Sequence, residues 1–273
     1  MLILDKLNSP SLSQEPTWQG LPLAKRDDGS LIGLTSDAID GHTLVIGPGK
    51  ERRDLQITAA IAVYDKALIV IDPSQEQYER TVEVRREIGP VFRWPPSDYD
   101  EADIDPTFFL SNLPSDWIAQ KATIYITYKL SDLTTPLSPT RKSYVQRSIN
   151  RIMAVLTQQE IESGDLVCFV DEAILVVLDQ LAKLLERLTQ NKIWTVLYIE
   201  WPDQLAIVYG EFAGDQILEQ CSYRVWYPAS YYAKPKQLPL SFIEMMMLDG
   251  ERVVVELGDE VIIGQRLMGD VNG

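Results

Sequence analysis

The sequence predicts an α/β fold, a mainly parallel sheet covered by helices on both faces. Three observations carry this. Four runs, His42–Ile46, Ala67–Ile71, Leu166–Val170 and Ile193–Ile199, are almost continuously apolar, as strands buried on both faces must be. Helical patterns separate them, so strand and helix alternate along the chain. At 273 residues, 45% hydrophobic and 24% charged, the chain is long enough to bury a core on each side of such a sheet.

Residues 1–20, rich in Ser, Pro, Asn and Gln, read as an irregular arm, and 21–273 as one domain. After short strands, the Asp40-Gly41 turn leads into the apolar run His42–Ile46. Glu51–Asp65 has the apolar spacing of a buried helix, and Ala67–Ile71 is a β-branched strand stopped by Asp72-Pro73. Gln77–Ile88 is a charged helix and Pro90–Trp94 a short strand. The acidic, proline-containing stretch Pro95–Asp116 reads as an irregular connection. Lys121–Tyr128 alternates like a strand; Ser143–Gln159 and Ile174–Gln190 are helical, on either side of the buried strand Leu166–Val170. After Ile193–Ile199 come a helix near Gln204–Val208, a strand at Ser222–Tyr227 and a helix at Leu240–Leu248. A terminal hairpin follows, Arg252–Leu257 with Glu260–Ile263.

Composition narrows the function. With 25 Lys and Arg against 40 Asp and Glu, the net charge is −15. Nucleic-acid affinity rests on basic side chains displacing counterions from phosphates, so direct nucleic-acid binding is not expected. The small basic clusters Lys50–Arg53, Arg80–Arg86 and Arg141–Arg151 read as solvated helix faces. One histidine and two cysteines argue against a metal site. Cys168 and Cys221, both in apolar surroundings, read as buried thiols of a reducing compartment. No apolar run approaches the roughly 20 residues of a membrane-spanning helix, and the first residues have no secretion-signal pattern, so a cytoplasmic protein is expected.

Two motifs carry possible chemistry. Leu44-Val45-Ile46-Gly47-Pro48-Gly49-Lys50 is a strand running through a glycine-rich turn into a helix, the place of a phosphate-binding loop. An intact loop reads G-x-x-x-x-G-K-[ST]: amides cradle phosphates, the lysine reaches the outer phosphates and the hydroxyl holds Mg²⁺. Here Arg52 stands at the second glycine, Arg53 at the lysine and Asp54 at the hydroxyl, unless Lys50 supplies the lysine across a deletion. The second motif, Leu166–Val170 followed by Asp171-Glu172, has the form of a Walker B strand, whose acids orient Mg²⁺ and polarise the attacking water. Acids at the start of a helix also serve as a plain N-terminal cap.

Taken with Ala67–Tyr78, Thr81, Arg85-Arg86, Gly89–Phe92, Phe169–Ala173, Tyr198–Gly210 and Ile217–Tyr227, these segments resemble the TraG/TraD type of conjugative coupling ATPase. The resemblance runs over about Leu21 to Met268 and omits that family's N-terminal membrane helices and separate all-α domain. It implies a P-loop NTPase-like core of RecA/FtsK type and a function in type IV secretion or conjugation. In the family, Asp-Pro-Lys-Gly-Glu stands where this chain has Asp72-Pro73-Ser74-Gln75-Glu76, and a sensor glutamine where it has Glu200. Only Asp171 and Glu172 are kept. Side chains at glycine positions crowd phosphates, and Asp54 and Glu200 add negative charge beside them. The expectation is therefore a catalytically impaired relative, without cofactor, acting through protein partners: true ATPase subunits or further copies of itself, at most peripheral to a membrane complex. The alternatives are an active divergent ATPase binding ATP and Mg²⁺, and a fold recruited as an unrelated interaction module.

Overall fold

The four apolar runs lie side by side in the middle of one eleven-stranded sheet. A computed structural model describes residues 20–35, 41–47, 50–72, 74–94, 106–127, 147, 150–155, 165–171, 181–228, 240 and 242–267. The strands are β1 (Gly20–Lys25), β2 (Leu31–Thr35), β3 (Thr43–Ile46), β4 (Ala67–Asp72), β5 (Val91–Trp94), β6 (Thr123–Thr127), β7 (Leu166–Val170), β8 (Trp194–Ile199), β9 (Tyr223–Trp226), β10 (Arg252–Leu257) and β11 (Glu260–Arg266). Their order is β2-β1-β11-β10-β9-β3-β8-β7-β4-β6-β5. From β9 to β5 every pairing is parallel. The β10–β11 hairpin joins β9 antiparallel, and the β1–β2 hairpin joins β11. Both the expected fold class and the terminal hairpin are found.

Alternation along the strands divides the core into two layers. Ala67, Ile69 and Ile71 of β4 face one cluster, Leu68 and Val70 the other. On the second face lie α1 (Lys50–Val63), through Ile57, Ala60 and Ile61, and α2 (Glu76–Ile88), through Tyr78. The first face is covered by α3 (Pro106–Ser111), α4 (described over 150–155), α5 (Leu181–Gln190), α6 (Asp203–Tyr209), α7 (Glu211–Gln220) and α8 (Phe242–Met247). Both layers exclude water, which explains the unbroken apolar runs.

Three expectations need correction. The stretch Pro95–Asp116 is not wholly irregular: α3 sits in it, anchored by the buried Leu110, and the turn after it buries Trp117. α7 was not expected, because Gly214 and a thin set of buried residues, Gly214 and Ile217, weaken its helical pattern. The cluster Arg80–Arg86 is not uniformly solvated. Arg85 is wholly buried, donating from Nε to Thr123 Oγ1 at 2.7 Å, from Nη2 to the Lys66 carbonyl at 2.8 Å and from Nη1 to the carbonyls of Ile61 and Tyr64. Residues 1–19 and the first part of the expected helix Ile174–Gln190 lie outside the described residues.

The ends of β3 are fixed differently. At its start, buried His42 points Nε2 at the Leu185 carbonyl and the Thr189 hydroxyl, each 2.8 Å away, and so ties α5 to the sheet. Burial pushes this imidazole down to about 4. Cys168 and Cys221 are free and buried, and burial pushes both thiols up to about 12, which leaves them unreactive.

Candidate functional site

Parallel strands end at one edge of a sheet, and ligand crevices in such folds lie outside that edge. Ile46 pairs with Ile199, Leu197 with Val170, and Val170 with Ile71. Asp171 and Asp72 follow the Val170–Ile71 pair, and Gly47 and Glu200 follow the Ile46–Ile199 pair two residues farther out, so all four stand at this edge. From the sequence, Gly47–Arg53 and Asp171-Glu172 are expected side by side at the carboxyl ends of adjacent strands. They are not adjacent: β8 lies between β3 and β7, so Glu200 stands between them. Strand order depends on pairing between segments far apart in sequence, which apolar runs do not record.

Side-chain alternation places the acids on one face. Phe169 and Val70 belong to the layer beneath α1 and α2, and Asp171 and Asp72 follow them by two residues. Three neighbouring strands, β4, β7 and β8, thus end in a carboxylate.

Each is held in its own way. Asp171 is buried, and its N–H donates to the Ile71 carbonyl at 3.0 Å, stitching β7 to β4 at the rim. Glu172 lies outside the described residues. Glu200 is exposed; its N–H donates to Gln204 Oε1 at 2.9 Å, and Gln204 Nε2 donates to its Oε2 at 3.4 Å. In the sequence Asp72 marks the stop of β4 and opens the segment compared with Asp-Pro-Lys-Gly-Glu; in the structure it is wholly buried and works as a cap. Oδ2 accepts the Tyr78 N–H at 2.9 Å and Oδ1 the Ser74 hydroxyl at 3.1 Å, while burial pushes the carboxyl up to about 6.

Beside Asp72, Gln75 adopts a left-handed backbone with φ of 65°, at the position where the resembled family has glycine. Arg93 secures it, donating from Nη2 to Gln75 Oε1 at 2.9 Å and from Nε to Thr127 Oγ1 at 3.0 Å, with its guanidinium 4.9 Å above the Tyr78 ring. No motif marked Arg93; its only signal was a charge inside a strand.

The phosphate-loop segment starts at Gly47, whose φ of 92° suits glycine and whose N–H donates to the Ile199 carbonyl at 3.0 Å. Pro48 and Gly49 lie outside the described residues. Lys50 opens α1, with Arg52 and Arg53 in its first turn and Asp54 just beyond. Two residues separate Gly47 from the helix, where an intact loop has four between its glycines alone. Among the described residues, no three His, Cys, Asp or Glu side chains are grouped so as to hold a metal ion. None of the described helices is long and apolar enough to cross a membrane.

No protein-family model matches the chain, and no curated protein matches its sequence. Solved structures do match. VirB4 of Thermoanaerobacter pseudethanolicus is similar over 93% of this chain and 97% of its own, at 11% identity and a TM-score of 0.57. The unbound bacterial conjugative coupling protein TrwBdeltaN70 is similar over 94% of this chain and 91% of its own, at 10% identity and a TM-score of 0.63. TrwB in complex with ADP and Mg²⁺ gives 94% and 90%, at 10% identity and a TM-score of 0.61. These likenesses, with the sheet order and the rim that it creates, establish that the chain has the P-loop NTPase-like fold of the conjugative coupling ATPases.

Proposed function

We propose that the protein is a catalytically impaired relative of the coupling ATPases, serving as an accessory or structural subunit of a DNA- or protein-transfer system. The observation that carries this reading is the short passage from Gly47 to α1, in which no G-K-[ST] follows a four-residue arc. The rim does not suit Mg²⁺–nucleotide in other respects. Asp72 spends its oxygens on Tyr78 and Ser74, and Gln204 engages Glu200. Removing pre-aimed donors from such a site costs orders of magnitude in rate. The Asp171 amide closes the β4–β7 ladder, a bond that any residue but proline would make there. Such a subunit works through its surfaces, against protein partners such as true ATPase subunits or further copies of itself.

One observation favours a second reading, an active divergent ATPase. A phosphate loop runs directly into a helix N-terminus, and Lys50 is here the first residue of α1. The two readings separate on Mg²⁺-dependent phosphate release and on thermal melting with Mg²⁺ and ATP, since a ligand of the native state must raise Tm by mass action. The expected result is no release above background and an unshifted Tm. Release abolished by Glu172→Gln and by Lys50→Ala would establish the active enzyme. Loss on Arg53→Ala alone would place Arg53 at the lysine position of a working site.

A further inference from the structure

We infer that the α6–α7 hairpin is a docking surface for a basic, amphipathic helix of another protein. This goes beyond the proposed function and is independent of nucleotide. The hairpin is built for rigidity: Gly210, with φ of 89°, makes the turn, and a Cβ on Gly214 would lie 2.8 Å from the Ala206 backbone nitrogen. Between the two helices runs a cleft of about 260 Å³ whose surface is mostly polar, with Asp203, Glu211 and Asp215 in its lining beside Ala206, Gly214 and Leu218.

On the same hairpin, outside the lining of the cleft, two large apolar side chains are mostly exposed, Ile207 at 76% and Phe212 at 77%. Spacing sets each on a helix face shared with an acid, Ile207 four residues after Asp203 and Phe212 three before Asp215. Two such side chains on one hairpin, next to a cleft lined by acids, offer a partner apolar contact and opposite charge together. The charge around it selects the occupant. Residues 200–220 contain five acids, Glu200, Asp203, Glu211, Asp215 and Glu219, and no Lys or Arg; Arg224, which donates to the Leu218 carbonyl, is half-buried and paired with Glu256. That field repels nucleic acid, anionic membrane and, at a net charge of −15, other copies of this chain. It attracts a helix with lysines or arginines flanking a leucine-like stripe, whose apolar face covers Ile207 and Phe212 while its cations meet the acids.

The probe is a fluorescein-labelled helical peptide with leucines on one face and lysines on the other, titrated by anisotropy against the full chain. A scrambled peptide of the same composition serves as control. The helical peptide is expected to bind and to slow amide exchange over 203–218. Phe212→Ser with Ile207→Ser should weaken binding roughly tenfold or more. Glu211→Gln with Asp215→Asn should weaken it too and flatten its salt dependence. Val261→Ser with Ile263→Ser, at an exposed apolar pair on β11, should leave it unchanged. Equal binding of the scrambled peptide, with Phe212→Ser without effect, would reduce the attraction to bulk charge and overturn the inference. So would self-association of the free protein that Phe212→Ser abolishes, since the occupant would then be a second copy.

Discussion

The guanidinium of Arg85 is held by neutral oxygens: the Thr123 hydroxyl and the carbonyls of Ile61, Tyr64 and Lys66. Two of those carbonyls lie at the C-terminal end of α1, where the peptide dipoles present negative charge to a cation. Desolvation lowers its pKa to about 10, which still leaves it charged at neutral pH. A single side chain therefore joins α1, α2 and β6. Arg85→Ala removes these bonds and leaves a hole, with an expected cost on the order of 3 kcal/mol, read as a fall in the urea midpoint. Arg85→Lys should recover little, because one compact ammonium cannot span acceptors arranged around a planar fork. The sequence marks Arg85 through the resemblance, but its burial was not legible there. A charge pattern says that an arginine is present on a helix, not that the helix turns it inward. The same limit hid Asp72, whose role as a cap depends on where α2 starts relative to β4.

At the scale of elements, the α6–α7 packing depends on the missing side chain at position 214. A methyl group there would stand 2.8 Å from Ala206 N and 3.0 Å from Ala206 Cα, backbone atoms that cannot swing aside. Alanine gains about 1 kcal/mol of helix propensity over glycine. Overpacking against backbone costs about 1–3 kcal/mol, so Gly214→Ala should lower Tm and weaken peptide docking on the hairpin. The strands were the legible elements. His42–Ile46, Ala67–Ile71, Leu166–Val170 and Ile193–Ile199 are all interior, since burial on both faces writes itself as composition. α7 was not legible, because a glycine inside a helix looks like a break until the neighbour that it accommodates is known. At the rim, Gly47 and Asp171 could be placed at strand ends from sequence. The insertion of β8 between their strands could not, since strand neighbours are chosen by long-range pairing.

For the whole molecule, two buried titrating groups set opposing responses to pH. His42 has a native pKa near 4 against 6.5 in the unfolded chain, so below 6.5 the unfolded state holds a proton that the native state refuses. Its contribution to stability is present above 6.5 and is lost as pH falls toward 4. Asp72 has a native pKa near 6 against 3.8, so between these values the native state holds the extra proton. Its contribution is present below 3.8 and is lost as pH rises through 6. Each term is on the order of 3 kcal/mol. From pH 4 to 6 the two oppose each other, and stability should vary little on their account. Denaturant midpoints measured across that interval should fall with rising pH in His42→Gln. They should fall with decreasing pH in Asp72→Asn, whose amide oxygen still accepts the Tyr78 N–H.

The pairing of β1 with β11, through Ala24 and Arg266, has a consequence for synthesis. A ribosome adds about 5–20 residues per second, so the β1–β2 ribbon emerges roughly ten to fifty seconds before its partner strand exists. During that interval the apolar face of Leu21, Leu23, Ile32 and Leu34 has no neighbouring strand to complete its layer. The parallel centre of the sheet can assemble as it is translated. Its antiparallel wing closes last, so the nascent chain carries an open edge until its final hairpin leaves the exit tunnel.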